Sequence, residues 1–366
     1  MSSILKNTPA VFSVGDNYKI FIQTSESALM WIKVGEECYF DHSNGVIRSG
    51  TNMHKITLPA EALDKEKRYT VCYRRVIERK PYFSQTGDVE EISFEFSPLP
   101  DEKFNVFQVA DAHGMINQPA AAAKVFENEF GKIDLLVLNG DVIDHSGRIE
   151  NFDAIYEITS LITKGRIPTV FSRGNHDTRG IYAENIADYT PTLDGNSYFS
   201  FRVSGLWGLV LDCGEDKADS HAEYGNTICC HSFRREETRY LENIIKNAKS
   251  EYEADGVKRK IILAHSPFTT RFNEPFNIEE DTYEYWTKLI KENIKPDVML
   301  CGHTHKFDIN RPGDEKDVYG IGWPVVVASR PSIKERRFAG GGLVFDGDSI
   351  TAVFCDEEKI ISKVAL

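Results

Sequence analysis

Long hydrophobic runs are missing from this sequence. No window approaches the roughly 20 apolar residues that a membrane span requires, and the opening MSSILKNTPAVFSVGD holds no apolar stretch of signal-peptide length. A soluble chain is the expectation. Cysteine is sparse and irregular: the seven, at 38, 72, 213, 229, 230, 301 and 355, are odd in number and follow no regular spacing. That argues against a disulfide framework and for a reducing cytoplasm. Basic residues are in deficit, 43 Lys and Arg against 56 Asp and Glu, a net charge of -13. Sequence-independent nucleic-acid binding, which needs basic surface to displace counterions, is not expected. An anionic substrate would have to be attracted by something local, such as bound cations. Internal repeats and low-complexity segments are absent as well.

What is present is a chain of 366 residues, 41% hydrophobic, long enough for about two domains. From Asn17 to Phe96 apolar residues alternate with polar ones, as in Tyr18, Ile20, Ile22 and Tyr69, Val71, Tyr73, with turn signals at Ser43-Asn44-Gly45 and Thr86-Gly87-Asp88. A small antiparallel β-sandwich of about seven strands is expected over 1–99, closed by the stiff connection Ser97-Pro98-Leu99-Pro100. Over 100–366 the rhythm becomes strand, loop, helix. Strands are expected at 104–110, 134–138, 206–212, 260–264, 297–301 and 324–328, with a closing hairpin over 342–355. Helices are expected at 118–130, 149–163, 234–252 and 281–293. Such alternation predicts an α/β fold with helices layered on the sheet.

Four of these strands, and a fifth apolar run at 167–171, empty at once into metal-binding residue types. FQVADAH supplies Asp111 and His113, LLVLNGDVID supplies Asp141 and Asp144, and TVFSRGNHD supplies Asn175, His176 and Asp177. IILAHSP supplies His265, and VMLCGHTH supplies His303 and His305. The carboxyl ends of strands are where open α/β sheets form their crevice. A single histidine at such a place is usually a hydrogen-bonded residue. The whole set arriving together is costly to bury without a cation. Imidazole and carboxylate without thiolate favour Mn, Fe, Zn or another first-row divalent ion over Ca or Mg. One ion cannot use seven ligands, whereas two ions sharing a carboxylate can, and centres roughly 3.5–4 Å apart suit in-line displacement at phosphorus.

In these blocks the sequence resembles the calcineurin-like metallophosphoesterases, whose successive motifs stand here as DAH (111–113), GDVID (140–144), GNHD (174–177), His265 and GHTH (302–305). The resemblance implies a sandwich of two mixed sheets flanked by helices. It also implies that Asp111, His113 and His305 hold one ion, that Asn175, His265 and His303 hold the other, and that Asp141 bridges them. His176 would face the substrate and protonate the leaving oxygen or stabilise charge, Asp144 would orient it, and a hydroxide bridging the ions would attack phosphorus. A small all-β domain before such a catalytic domain is similar in architecture to the purple acid phosphatases. The residues depart from that subfamily, since its tyrosine ligand falls at Asp144 and its first block has Gly where His113 stands. The DAH and GNHD-x-R forms look closer to bacterial phosphodiesterases of the cyclic-nucleotide type, with Arg179 as a substrate contact.

The expected function is hydrolysis of a small phosphorylated substrate, monoester or diester, without nucleic-acid or membrane binding. A protein that keeps the fold and the metals without turnover is the alternative, although every motif block is intact. Cys229-Cys230-His231 lacks the paired half of a metal cluster. His145 reads as a turn residue, and His42 and His54 as having no chemical part. The polar stretch after Asp212, with His221, either caps the site or is a solvated loop.

Overall fold

The computed structural model describes residues 3–366. A nine-stranded sheet runs, edge to edge, Ile360–Ala365, Ser349–Asp356, Ala339–Asp346, Lys103–Val109, Leu135–Asn139, Thr169–Ser172, Ala10–Val14, Asn17–Gln23 and Met53–Pro59. A six-stranded sheet runs Phe199–Val203, Leu206–Leu211, Arg259–Ala264, Val298–Cys301, Val325–Ala328 and Phe307–Asn310. Strands at the centre of both sheets are parallel. Their sequences are apolar on both faces because both faces are covered.

The two sheets close on each other through Val106, Leu135, Val137 and Val170 on one side and Ile261, Leu263, Val298 and Leu300 on the other. Helices Asn117–Phe130 and Asp153–Thr163 cover the outer face of the large sheet. Helices Cys230–Lys246 and Glu280–Leu289 cover that of the small one. The result is the expected layered α/β sandwich of two mixed sheets. Each Val, Leu or Ile fully removed from water contributes about 1.5–3 kcal/mol, which makes this double layer a rigid base for the loops at its rim.

The N-terminal region differs from a self-contained sandwich. Its layers do face one another, with Ile20, Ile22, Ile56 and Leu58 packed against Met30, Ile32, Val71 and Tyr73. One of the two layers, however, is the end of the catalytic sheet, because Ala10–Val14 pairs in parallel with Thr169–Ser172 at Phe12 and Thr169. The other layer is the separate sheet Glu90–Glu95, Arg68–Glu78, Ala28–Val34 and Glu37–Phe40. The helix Cys230–Lys246 begins before and ends before the expected 234–252, and the strands Phe199–Val203, Phe307–Asn310 and Ile360–Ala365 were not anticipated from the sequence. Among the described residues no helix is long and apolar enough to cross a membrane.

Candidate metal centre

Three loops of the large sheet and two of the small one meet at the rim where the strands end. They follow Lys103–Val109, Leu135–Asn139 and Thr169–Ser172, then Arg259–Ala264 and Val298–Cys301. Just below, two buried amides tie the sheets together. Gln108 Nε2 donates to the Cys301 carbonyl at 2.8 Å, and Asn139 Nδ2 donates to Gln108 Oε1 at 2.9 Å and the Leu300 carbonyl at 3.0 Å. The ligand loops therefore start from a fixed inter-sheet spacing.

Asp111, His113, Asp141, His303 and His305 all have positive φ, between 44° and 68°. Non-glycine residues in this region cost of order 1–3 kcal/mol each, and the packed sheets beneath offset that cost. The turns are made possible by close backbone approach. A Cβ at Gly174 would overlap the backbone nitrogen and Oδ1 of Asp141, and one at Gly140, where φ is 78°, would overlap the His265 ring.

The structure brings all seven expected ligands together. Asp111 and Asp141 are 0% and 2% exposed, and their ion-pair partners are histidines: His265 Nε2 lies 3.2 Å from Asp141 Oδ2 and 3.8 Å from Asp111 Oδ1, and His305 Nε2 lies 3.2 Å from Asp111 Oδ1. His113 Nε2 faces His305 Nε2 at 3.3 Å, and His303 Nδ1 faces Asn175 Oδ1 at 3.1 Å. Ligand atoms of Asp111, His113 and His305 lie within 4.8 Å of one another, as do those of Asp111, Asp141 and His265.

These residues fit metal ions. His265 Nδ1 donates to the Asn139 carbonyl at 2.8 Å, so its Nε2, which has no hydrogen-bond partner, points at two carboxylates. A bare lone pair there would be repelled, and only a proton or a cation can lie between. Burial alone would lower the His265 pKa, but Asp141 and Asp111 win and push it up to about 10. Burial likewise opposes ionisation of Asp141, yet His265 and the neighbouring imidazoles hold its carboxyl well below the usual range. Burial together with His265 lowers His303 to about 4, which keeps that ring neutral and able to ligate. Metal and proton thus compete for His265. Metal uptake is expected to release about one proton near neutral pH, and affinity to rise about tenfold per pH unit between about pH 6 and 9. Competition with a chelator of known affinity checks this, and a flat profile would contradict it.

His176 is half-buried beside the cluster, its ring centroid 4.8 Å from that of His113. Its Nδ1 lies 3.0 Å from the backbone carbonyl of Asp144. A carbonyl only accepts, so Nδ1 carries the hydrogen and Nε2 looks into the cleft. This corrects the expectation that the Asp144 carboxylate orients His176. That side chain is 58% exposed, and its Oδ1 lies 3.6 Å from His113 Nδ1 instead. Arg179 is close to the site as expected but is not free: its guanidinium is paired with Glu215 and Asp216, and Nη1 lies 3.1 Å from His176 Nε2.

The parts played by other residues at the site escaped the sequence reading. Asp177, fully buried, accepts backbone N–H groups from Gly174 at 2.8 Å, Asp141 at 3.1 Å and Ile143 at 3.4 Å, and so locks two ligand loops together. Its place in GNHD was visible, but not this task. Gln108 and Asn139 had a signal, being polar residues inside apolar strands. The cleft beside His303 and Asn175 is walled by Phe272, Tyr319 and Asp216. His145 accepts from Gly147 N at 2.9 Å, as a turn residue does. His54 lies buried 2.7 Å from Asp41, and His231 pairs with Glu279 at 2.8 Å rather than joining a cysteine cluster.

Against known proteins, a family model described as calcineurin-like phosphoesterase matches residues 104–307, more than half of the chain. The chain is 27% identical over 186 residues to the serine/threonine-protein phosphatase CPPED1 of Pongo abelii, covering 48% of this chain and 54% of that protein. It is 26% identical over 186 residues, with the same coverage, to the protein of that name from Homo sapiens. The chain thus spans about half the length of the curated relatives it matches. The purple acid phosphatase PPD1 of yellow lupin (Lupinus luteus) shares the fold, with a TM-score of 0.61 at 14% identity, covering 100% of this chain and 75% of that one. The motif blocks that converge on one rim and the family match over the same residues agree: the chain belongs to the calcineurin-like phosphoesterase family.

Proposed function

We propose that the chain hydrolyses phosphate esters with two divalent transition-metal ions, Mn, Fe or Zn. Asp111, His113 and His305 would hold one ion, Asn175, His265 and His303 the other, and Asp141 would be shared. The observation that carries this is a pair of buried carboxylates whose ion-pair partners are all histidines, at a rim where five loops deliver ligand atoms. When bound, the ions supply Lewis-acid charge at the phosphoryl group and make water acidic enough to serve as nucleophile at neutral pH.

The chain's own residues do the rest. Nδ1–H of His176, anchored on the Asp144 carbonyl, keeps Nε2 turned to the cleft, where a proton held on it can pass to the leaving oxygen. Arg179 lies beside it as a contact for the phosphoryl oxygens. Phe272 and Tyr319 offer an aromatic wall to the organic part of the ester. The names of the curated relatives support monoester hydrolysis, and diesters need the same ligand set. Seven unpaired cysteines support a reducing, cytoplasmic setting.

Metal analysis, followed by assays on p-nitrophenyl phosphate and bis-p-nitrophenyl phosphate with added manganese, tests the proposal. Two ions per chain are expected, with hydrolysis of at least one ester and loss of at least about 100-fold on chelation. Both ions bound with neither ester cleaved would establish instead a scaffold that retains the fold without turnover.

A further inference from the structure

The insertion between Leu211 and the helix that starts at Cys230 reaches the site through one buried carboxylate. Glu215 is 3% exposed, and it takes two donors from one side of Arg179: Nε at 2.9 Å on Oε1 and Nη2 at 2.7 Å on Oε2. Nη2 also reaches Asp216 Oδ1 at 3.4 Å. Glu215 is itself gripped by the insertion. Arg234 Nη2 donates to its backbone carbonyl at 2.6 Å, and the Tyr224 hydroxyl lies 3.1 Å from Oε2 and 2.8 Å from Asp216 Oδ1. Tyr224 stands in a single turn that His221 caps, its Nδ1 accepting the Glu223 N–H at 3.3 Å.

This arrangement uses up the guanidinium's Nε and Nη2 and leaves Nη1, whose partner is His176 Nε2 at 3.1 Å. A guanidinium donates only, so this contact ends on the ring's lone pair, at the place a leaving or phosphoryl oxygen must approach. Two parallel hydrogen bonds to one carboxylate also fix the plane of the guanidinium, which a single contact would not. A buried Arg–Glu pair is weak evidence for stability, because desolvation consumes most of its Coulomb gain. Its orientation is the more telling feature.

We infer, on the basis of the phosphoester-hydrolase function proposed above, that Glu215 is a positioning residue: it holds Arg179 edge-on so that Nη1 meets the phosphate oxygens of the substrate. When the ester arrives, Nη1 exchanges the His176 lone pair for a phosphate oxygen while the pair with Glu215 stays in place. His176 Nε2, its lone pair thereby released, takes up a proton from water and passes it to the leaving oxygen as the ester bond breaks. The insertion after Asp212 is in this way part of the site, not a solvated loop.

The test is a double-mutant cycle on the manganese-loaded protein, read by calorimetric binding of inorganic phosphate and by the separate KM and kcat of p-nitrophenyl phosphate. Arg179→Ala and Glu215→Gln are each expected to weaken phosphate binding about tenfold, the size of one charge-assisted hydrogen bond. The double variant should be no weaker than Arg179→Ala alone. KM should rise with the phosphate dissociation constant, with a smaller loss in kcat, and Glu215→Asp should recover part of the affinity. Arg179→Lys, which keeps the charge and a partner for Glu215 but not the fork, should bind phosphate as weakly as Arg179→Ala; it decides the matter if Glu215→Gln does not fold. Wild-type affinity in Glu215→Gln or Arg179→Lys, losses that multiply in the double variant, or a metal-loaded wild type that binds no phosphate would each overturn the inference. Coupled phosphate binding in a protein that cleaves no ester would overturn the proposed function and leave this one standing.

Discussion

Asp141→Asn is expected to abolish paired metal binding and to lower turnover by about 10³-fold or more, the equivalent of about 4 kcal/mol of lost transition-state stabilisation. Asp141 stands where the loops cross. Its Oδ1 accepts the His176 backbone N–H at 2.8 Å, its Oδ2 lies 3.2 Å from His265 Nε2, and its own N–H goes to Asp177 at 3.1 Å. An asparagine keeps the shape, and it is among the residues that best tolerate the left-handed backbone found here, where φ is 50°. Only the charge is lost. In the metal-free protein that loss relieves the repulsion between two buried carboxylates but breaks the closer ion pair of protonated His265, at 3.2 Å, leaving it Asp111 at 3.8 Å. The variant should therefore melt at or below the temperature of the metal-free wild type. Added manganese should raise the melting temperature of the wild type, where saturation at about 100-fold over the dissociation constant adds about 2.7 kcal/mol, and leave the variant unmoved. Two ions per chain with wild-type turnover in Asp141→Asn would remove Asp141 from its proposed role.

How much of this could be seen in the sequence follows from which forces act locally. Buried parallel strands are apolar on both faces, so the runs that end at Asp111, Asp141, Asn175, His265 and His303 were legible as strands and the polar clusters after them as a shared rim. Period-two alternation says that a strand has two unlike faces. It does not say which sheet the strand joins, so the N-terminal strands looked like a domain of their own. The pairing of Phe12 with Thr169 lies across more than 150 residues of chain. A hint was present in Ala10–Val14, whose five residues are all buried, as in a central strand. Loop side chains carry no period at all. Nothing in the spacing of Arg179 and Glu215 announces a pair, and nothing in GDVID tells whether Asp144 meets His176 through its carboxylate or its carbonyl.

That last distinction bears on His176→Ala, for which a loss of about 10²–10³-fold in kcat is expected on esters with poor leaving groups and little loss on nitrophenyl esters. A nitrophenolate departs without a proton, whereas an alkoxide needs one at the moment the bond breaks, and His176 Nε2 is the ring nitrogen turned to the cleft there. The hydrogen bond that holds the ring comes from the Asp144 backbone, so Asp144→Asn should keep the wild-type dependence on leaving group, although its side chain lies 3.6 Å from His113. A series of aryl and alkyl phosphates of graded leaving-group acidity measures this as a slope: steeper in His176→Ala, unchanged in Asp144→Asn. If His176→Ala instead lost the same factor across the series, the ring would be binding the phosphoryl group rather than supplying the proton, and Arg179 Nη1, freed from Nε2, would then be the donor to examine. If Asp144→Asn steepened the slope, the carboxylate would have to turn inward during turnover, away from the place it holds here.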